Sequence, residues 1–166
     1  KDTLLRKVRL AAILGTIEAT FTKFPYLRKV WQRNTEEERL LGVSLTGIYD
    51  NPLLTKQGKA LNDLLTELRQ EARRANEEFA TLLGIPKSAA ITCVKPSGTV
   101  SQLVDSASGI HARHSPYYIR TVRADKKDPL AKMMVDAGFP AEDDVTKPDN
   151  TYVFSFPIQS PKNAIY

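Results

Sequence analysis

The chain has 166 residues, about one domain's worth, and its 42% hydrophobic and 26% charged content excludes a disordered or fibrous polypeptide. No apolar run reaches the roughly 18 residues of a membrane span, and no secretory signal layout opens the chain. A single cysteine excludes an internal disulfide, so the composition reads as a cytoplasmic protein with no membrane partner.

The net charge of +5 is uneven. Residues 1–88 carry 15 basic and 11 acidic side chains, residues 89–127 carry 6 and 2, and residues 128–166 carry 3 and 6. The middle stretch therefore has the highest positive density, where a phosphorylated ligand would be drawn. A basic surface with no ligand is the plainer reading of charge alone.

In chain order, the opening "KDTLLRKVRLAAILGTIEATF" is apolar at helical spacing through Leu4, Leu5, Val8, Ala11 and Ala12. Leu10, Ile13, Leu14 and Ile17 fill the other side, which predicts a helix buried nearly all round from Leu10 onward. Such a helix is an awkward first element for a free-standing domain, and the chain reads as a piece of something larger. A loop and short helix follow over "FPYLRKVWQRNTEEER". "LLGVSLTGIYDN" places two glycines in an apolar run, a sign of tight packing.

Leu61, Leu64, Leu65, Leu68, Ala72, Ala75, Phe79 and Leu83 then predict a long amphipathic helix closed by Gly84 and Pro86. "AAITCV" is continuously apolar, the pattern of a strand buried on both faces, with Cys93 buried inside it. "YYIRTVR" and "TYVFSFPI" read as strands. "DPLAKMMVDAG" reads as a short helix with Asp128 as N-cap, Pro129 in its first turn and Gly138 past its end. Helices alternating with buried strands imply an α/β fold. No linker or internal repeat interrupts residues 1–166, which read as a single unit.

Between the "AAITCV" run and a predicted helix starting at Thr99 lies Pro96-Ser97-Gly98-Thr99-Val100-Ser101. A strand-to-helix turn of this kind offers unpaired backbone N–H groups to an anion. Gly98 permits close backbone approach, and the Thr99 and Ser101 hydroxyls add donors, while the Val100 side chain is expected in the core. The spacing is not that of a P-loop. A phosphate site is the reading these residues favour, and a capped structural turn is the alternative. His111 and His114 have a spacing that suggests metal, but two ligands without a nearby cysteine or carboxylate do not make a zinc site, and none is assigned. Arg113 and Arg120 are candidates for steering a nucleotide.

Three stretches, "LRKVRLAAILGTIEATF", "EEERLLGVSLTGIYDNP" and "KPSGTVSQLVDSASGIHARHSPYYIRTVR", resemble the adenosylcobalamin-dependent, class II ribonucleotide reductases, in the same order and over essentially the whole chain. The resemblance implies that residues 1–166 are a single segment, the second half, of a ten-stranded α/β barrel. It also implies that Pro96, Ser97, Gly98, Thr99, Val100 and Ser101 hold substrate phosphates. The complete enzyme would convert ribonucleotides to deoxyribonucleotides with adenosylcobalamin and a thioredoxin-like dithiol reductant. The family's Asn-Pro-Cys-Gly-Glu finger loop is absent, and one cysteine cannot form the reducing pair. No catalytic residue is therefore named here. The chain alone is expected to be inactive and to need the N-terminal half of the barrel as partner. Alternatives are an inactive structural or partner fragment, or a stand-alone basic nucleotide- or RNA-binding module. The apolar first helix and the lack of aromatics among the basic residues at Arg120–Lys127 argue against nucleic acid as partner.

Overall fold

The helical spacing of Val8 and Ala12 is realised in α1 (Asp2–Glu18), whose face packs on α4 (Lys59–Leu83). The computed structural model describes residues 1–166. Chain contacts divide it into two compact units, Lys1–Ala112 and Arg113–Tyr166.

In the first unit, Leu64, Leu68, Ala72 and Ala75 of α4 meet Val8 and Ala12 of α1 and Leu54 of the one-turn α3 (Pro52–Thr55). The alanines let the two helix backbones approach closely, and each larger side chain contributes about 1.5–3 kcal/mol by its burial. Gly84, in a left-handed conformation, ends α4 where the sequence predicted. Two polar residues inside the apolar stripe escape a periodicity reading. Asn76, 1% exposed, donates to Thr16 Oγ1 and Ser88 Oγ, both at 2.9 Å, and accepts from the Ser88 N–H at 3.0 Å. Glu71 is buried and paired with Arg9 at 3.2 Å and with Arg74.

The all-round burial expected of the first helix is not observed. Leu10, Leu14 and Ile17 are 54%, 58% and 41% exposed, because α4 covers a single face of α1. After α2 (Lys29–Glu38) the chain runs extended. Glu36, near the end of α2, accepts from Gln32 and Thr22, which hold its carboxyl below the usual carboxylate range.

The expected strand "AAITCV" is also corrected. Val43 and Thr92 form an isolated parallel bridge, with Val43 N–H to Ile91 O at 2.9 Å and Cys93 N–H to Val43 O at 3.0 Å. Cys93 and Val94 are exposed. A continuous apolar run signals burial only if layers cover both faces, and here the segment has one hydrogen-bonding neighbour.

In the second unit, β1 (Tyr117–Asp125), β2 (Ala141–Asp143) and β3 (Thr151–Gln159) form an antiparallel sheet in the order β1-β3-β2. Both long strands and α6 (Pro129–Asp136), with Asp128 accepting from the Leu130 N–H at 2.8 Å, lie where the sequence placed them. Both pairings in this sheet are antiparallel. Pro157 is tolerated in the middle strand because β2 pairs only with Tyr152–Phe154, leaving an open edge beside the proline. Phe154 is buried, and Phe139, just past α6, meets Phe156 with ring centroids 5.9 Å apart. The buried Asp144 carboxylate accepts from the Thr146 hydroxyl and N–H, the Lys147 N–H and Arg123 Nε. The content is mixed α/β, and no helix is long and apolar enough to cross a membrane.

Candidate functional site

The loop at Pro96–Ser101 is held by a small hydroxyl network. The Ser97 N–H donates to Ser108 Oγ at 3.0 Å, and Ser108 Oγ donates back to the Ser97 carbonyl at 3.0 Å. Ser97 Oγ accepts the Ser101 N–H at 2.9 Å. With these ends tied, the N–H groups of Gly98, Thr99 and Val100 donate to no protein acceptor. Three consecutive donors without partners in an exposed loop are what an anion-binding concavity is made of.

These residues line an open groove of about 550 Å³. Its opposite walls are Ala11, Leu14, Gly15 and Glu18 of α1 and the extended stretch carrying Gly42, Ser44 and Thr46. Among the six predicted residues, Pro96, Ser97, Gly98, Thr99 and Val100 reach the groove together. Ser101 does not: it is fully buried, and its hydroxyl donates to the Ser97 carbonyl at 3.2 Å, so it braces the loop from behind. The Val100 side chain, expected in the core, is 59% exposed. The helix expected after Thr99 is the four-residue α5 (Val100–Leu103), too short to build a macrodipole that would attract an anion.

Arg113 and Arg120 belong to the second unit. Arg113 is 7% exposed and Arg120 stands on β1 opposite Phe156, whereas the loop belongs to the first unit. The histidines also separate. His111 lies 3.5 Å from Ser108 Oγ, and His114 makes an edge contact with Tyr118 in the second unit. Cys93 lines a smaller apolar groove with Val8, Leu65, Leu68 and Arg69.

Sequence reasoning missed three contributors. Ser108 fixes the loop through its hydroxyl. Lys95 lines the groove beside the loop. Gly109 is buried against the backbone: a Cβ built there would stand 2.3 Å from the Lys95 carbonyl oxygen and 3.0 Å from that of Leu45. The cluster Ser106-Ala107-Ser108-Gly109 is a turn-like signal, but its pairing with a segment eleven residues earlier is not readable from spacing.

No protein-family profile matches the chain. Individual relatives do. A protein of Dictyostelium discoideum named probable adenosylcobalamin-dependent ribonucleoside-triphosphate reductase is 35% identical over 89% of this chain. The adenosylcobalamin-dependent ribonucleoside-triphosphate reductase of Lactobacillus gasseri is 30% identical over 87% of it, and that of Euglena gracilis 31% over 77%. A crystal structure of a B12-dependent, class II ribonucleotide reductase superposes on 95% of the chain with a TM-score of 0.71 at 25% identity. The chain is a relative of the class II ribonucleotide reductases.

It spans 19–22% of the length of the first curated relatives and 25% of the solved class II reductase.

Proposed function

We propose that this chain is the part of a ribonucleoside-triphosphate reductase barrel that holds the substrate phosphates. The observation that carries this is the run of three partnerless N–H groups at Gly98, Thr99 and Val100, on a groove wall, in a chain related to class II reductases. Phosphate oxygens would accept from these donors, and the Thr99 hydroxyl would add a fourth. Tying the loop ends through Ser97, Ser101 and Ser108 fixes the donors before ligand arrives, which lowers the ordering cost of binding.

In this reading the complete barrel reduces ribonucleoside triphosphates to deoxyribonucleotides, with residues 1–166 acting as one segment of a ten-stranded barrel. Adenosylcobalamin, which the relatives' names specify, would initiate the radical chemistry in the complete enzyme. The groove does not fit that cofactor: a corrin with its nucleotide tail outsizes its volume of about 550 Å³, and neither histidine lines it. A dithiol step also needs residues beyond this chain, whose sole cysteine is Cys93. The chain's own contribution is to bind the phosphates and orient the nucleotide for residues of the rest of the barrel and for an external dithiol reductant. Arg113 is too buried for a steering role.

The test is titration of a ribonucleoside triphosphate into the full-length protein with Gly98 or Gly98→Asp. A Cβ at Gly98 meets nothing within 4 Å, so the substitution adds a negative charge at the site without disturbing packing. Affinity is expected to fall at least tenfold. Unchanged affinity would return the loop to a capped turn.

A further inference from the structure

We infer that Lys95 engages the terminal phosphate of the bound nucleotide and thereby sets a preference for triphosphates over diphosphates and monophosphates, an inference that rests on the loop reading above. The groove has two ionisable lining residues, Lys95 and Glu18. Their formal charges cancel, so no general positive field attracts a polyanion there. Attraction has to be local. Three backbone N–H groups and one hydroxyl are neutral donors enough for one phosphate group, but they leave the remaining charge of a polyphosphate unopposed.

Lys95 is the cation placed to oppose it. It immediately precedes the loop, lines the same groove and engages no carboxylate. Its arm is not loose in solvent: the ammonium lies 3.5 Å from the point where a Cβ would stand at Gly42, so it crosses the bare backbone of the neighbouring extended segment. A lysine laid along the wall loses less freedom on binding than one extended into water. Glu18, at the end of α1, lines the same groove, and removing Lys95 would leave the groove with a net charge of −1.

The experiment measures affinities of the full-length protein for a ribonucleoside mono-, di- and triphosphate, comparing wild type, Lys95→Met, Lys95→Arg and Gly98→Asp. Lys95 is exposed, so its replacement leaves the core intact. Lys95→Met is expected to weaken the triphosphate roughly tenfold, the scale of one charge-assisted hydrogen bond, with less effect on the diphosphate and almost none on the monophosphate. Lys95→Arg is expected to restore most of the triphosphate preference. Equal losses for all three ligands, or no loss, would overturn the terminal-phosphate role. Gly98→Asp separates the two readings. If it abolishes binding of all three while Lys95→Met leaves their ratio unchanged, the loop reading stands and this inference fails. If Gly98→Asp changes nothing, the loop reading itself fails.

Discussion

Two glycines near the loop should respond to the same substitution in opposite ways. At Gly109 an added Cβ would sit 2.3 Å from the Lys95 carbonyl oxygen and 3.0 Å from the Leu45 carbonyl oxygen. Both obstacles are backbone, so no side chain can rotate aside, and the two extended segments that wall the groove must separate. Overpacking by one methyl group typically costs about 1–3 kcal/mol, and contact on two sides places Gly109→Ala near the top of that range, about 3 kcal/mol. At Gly98 a Cβ meets nothing within 4 Å, and the backbone there does not have a positive φ. Gly98→Ala should therefore lie within about 0.5 kcal/mol of wild type. Urea unfolding followed by circular dichroism reads the difference. With a slope of roughly 1–3 kcal/mol per molar, Gly109→Ala should lower the midpoint by about 1 M or more, and Gly98→Ala should not move it. Equal midpoints for Gly109→Ala and wild type would show that the packing at Lys95 is not as described.

Asn76→Ala should destabilise by about 3 kcal/mol, since it strands the buried Ser88 N–H and removes two further hydrogen bonds; a loss under about 1 kcal/mol in the same urea assay would refute that role. The Thr146 hydroxyl, the Arg123 guanidinium and the Thr146 N–H hold the Asp144 carboxyl well below the usual carboxylate range. A depressed folded-state value means stability that is present above the unfolded value near ~3.9 and lost as pH falls below it. Melting temperature should thus drop on acidification from about pH 5 in wild type, with a flatter acid limb in Asp144→Asn. Parallel acid limbs would contradict this. Thr99→Ala should weaken nucleotide binding by about 0.5–2 kcal/mol, and no change in a titration would remove its hydroxyl from the site. Residues 1–166 alone should turn over no ribonucleotide with adenosylcobalamin and dithiol; turnover abolished by Cys93→Ser would show that the chain carries its own radical centre.

What the sequence determined is chiefly local. The period of Leu64, Leu68, Ala72 and Ala75, the Gly84 stop, the Asp128 cap and the aromatic and β-branched run in Tyr117–Arg123 each encode an element through neighbours a few residues away, and each element formed. The loop at Ser97–Val100 was legible for the same reason: glycine between hydroxyl residues after a proline reports its own backbone. Tertiary structure decided what depends on partners far along the chain. Periodicity cannot say whether Leu10 and Leu14 find cover, whether Thr92 gains one strand neighbour or two, or whether β1 pairs antiparallel with a segment thirty residues on. Nor can it place Asn76 on Ser88, or Ser108 and Gly109 behind Lys95 and Ser97, because those pairings are set by how α1, α4 and the extended segments stack. The loop's residue types came from local chemistry. That its N–H groups remain partnerless while Ser101 turns inward came from the packing around it.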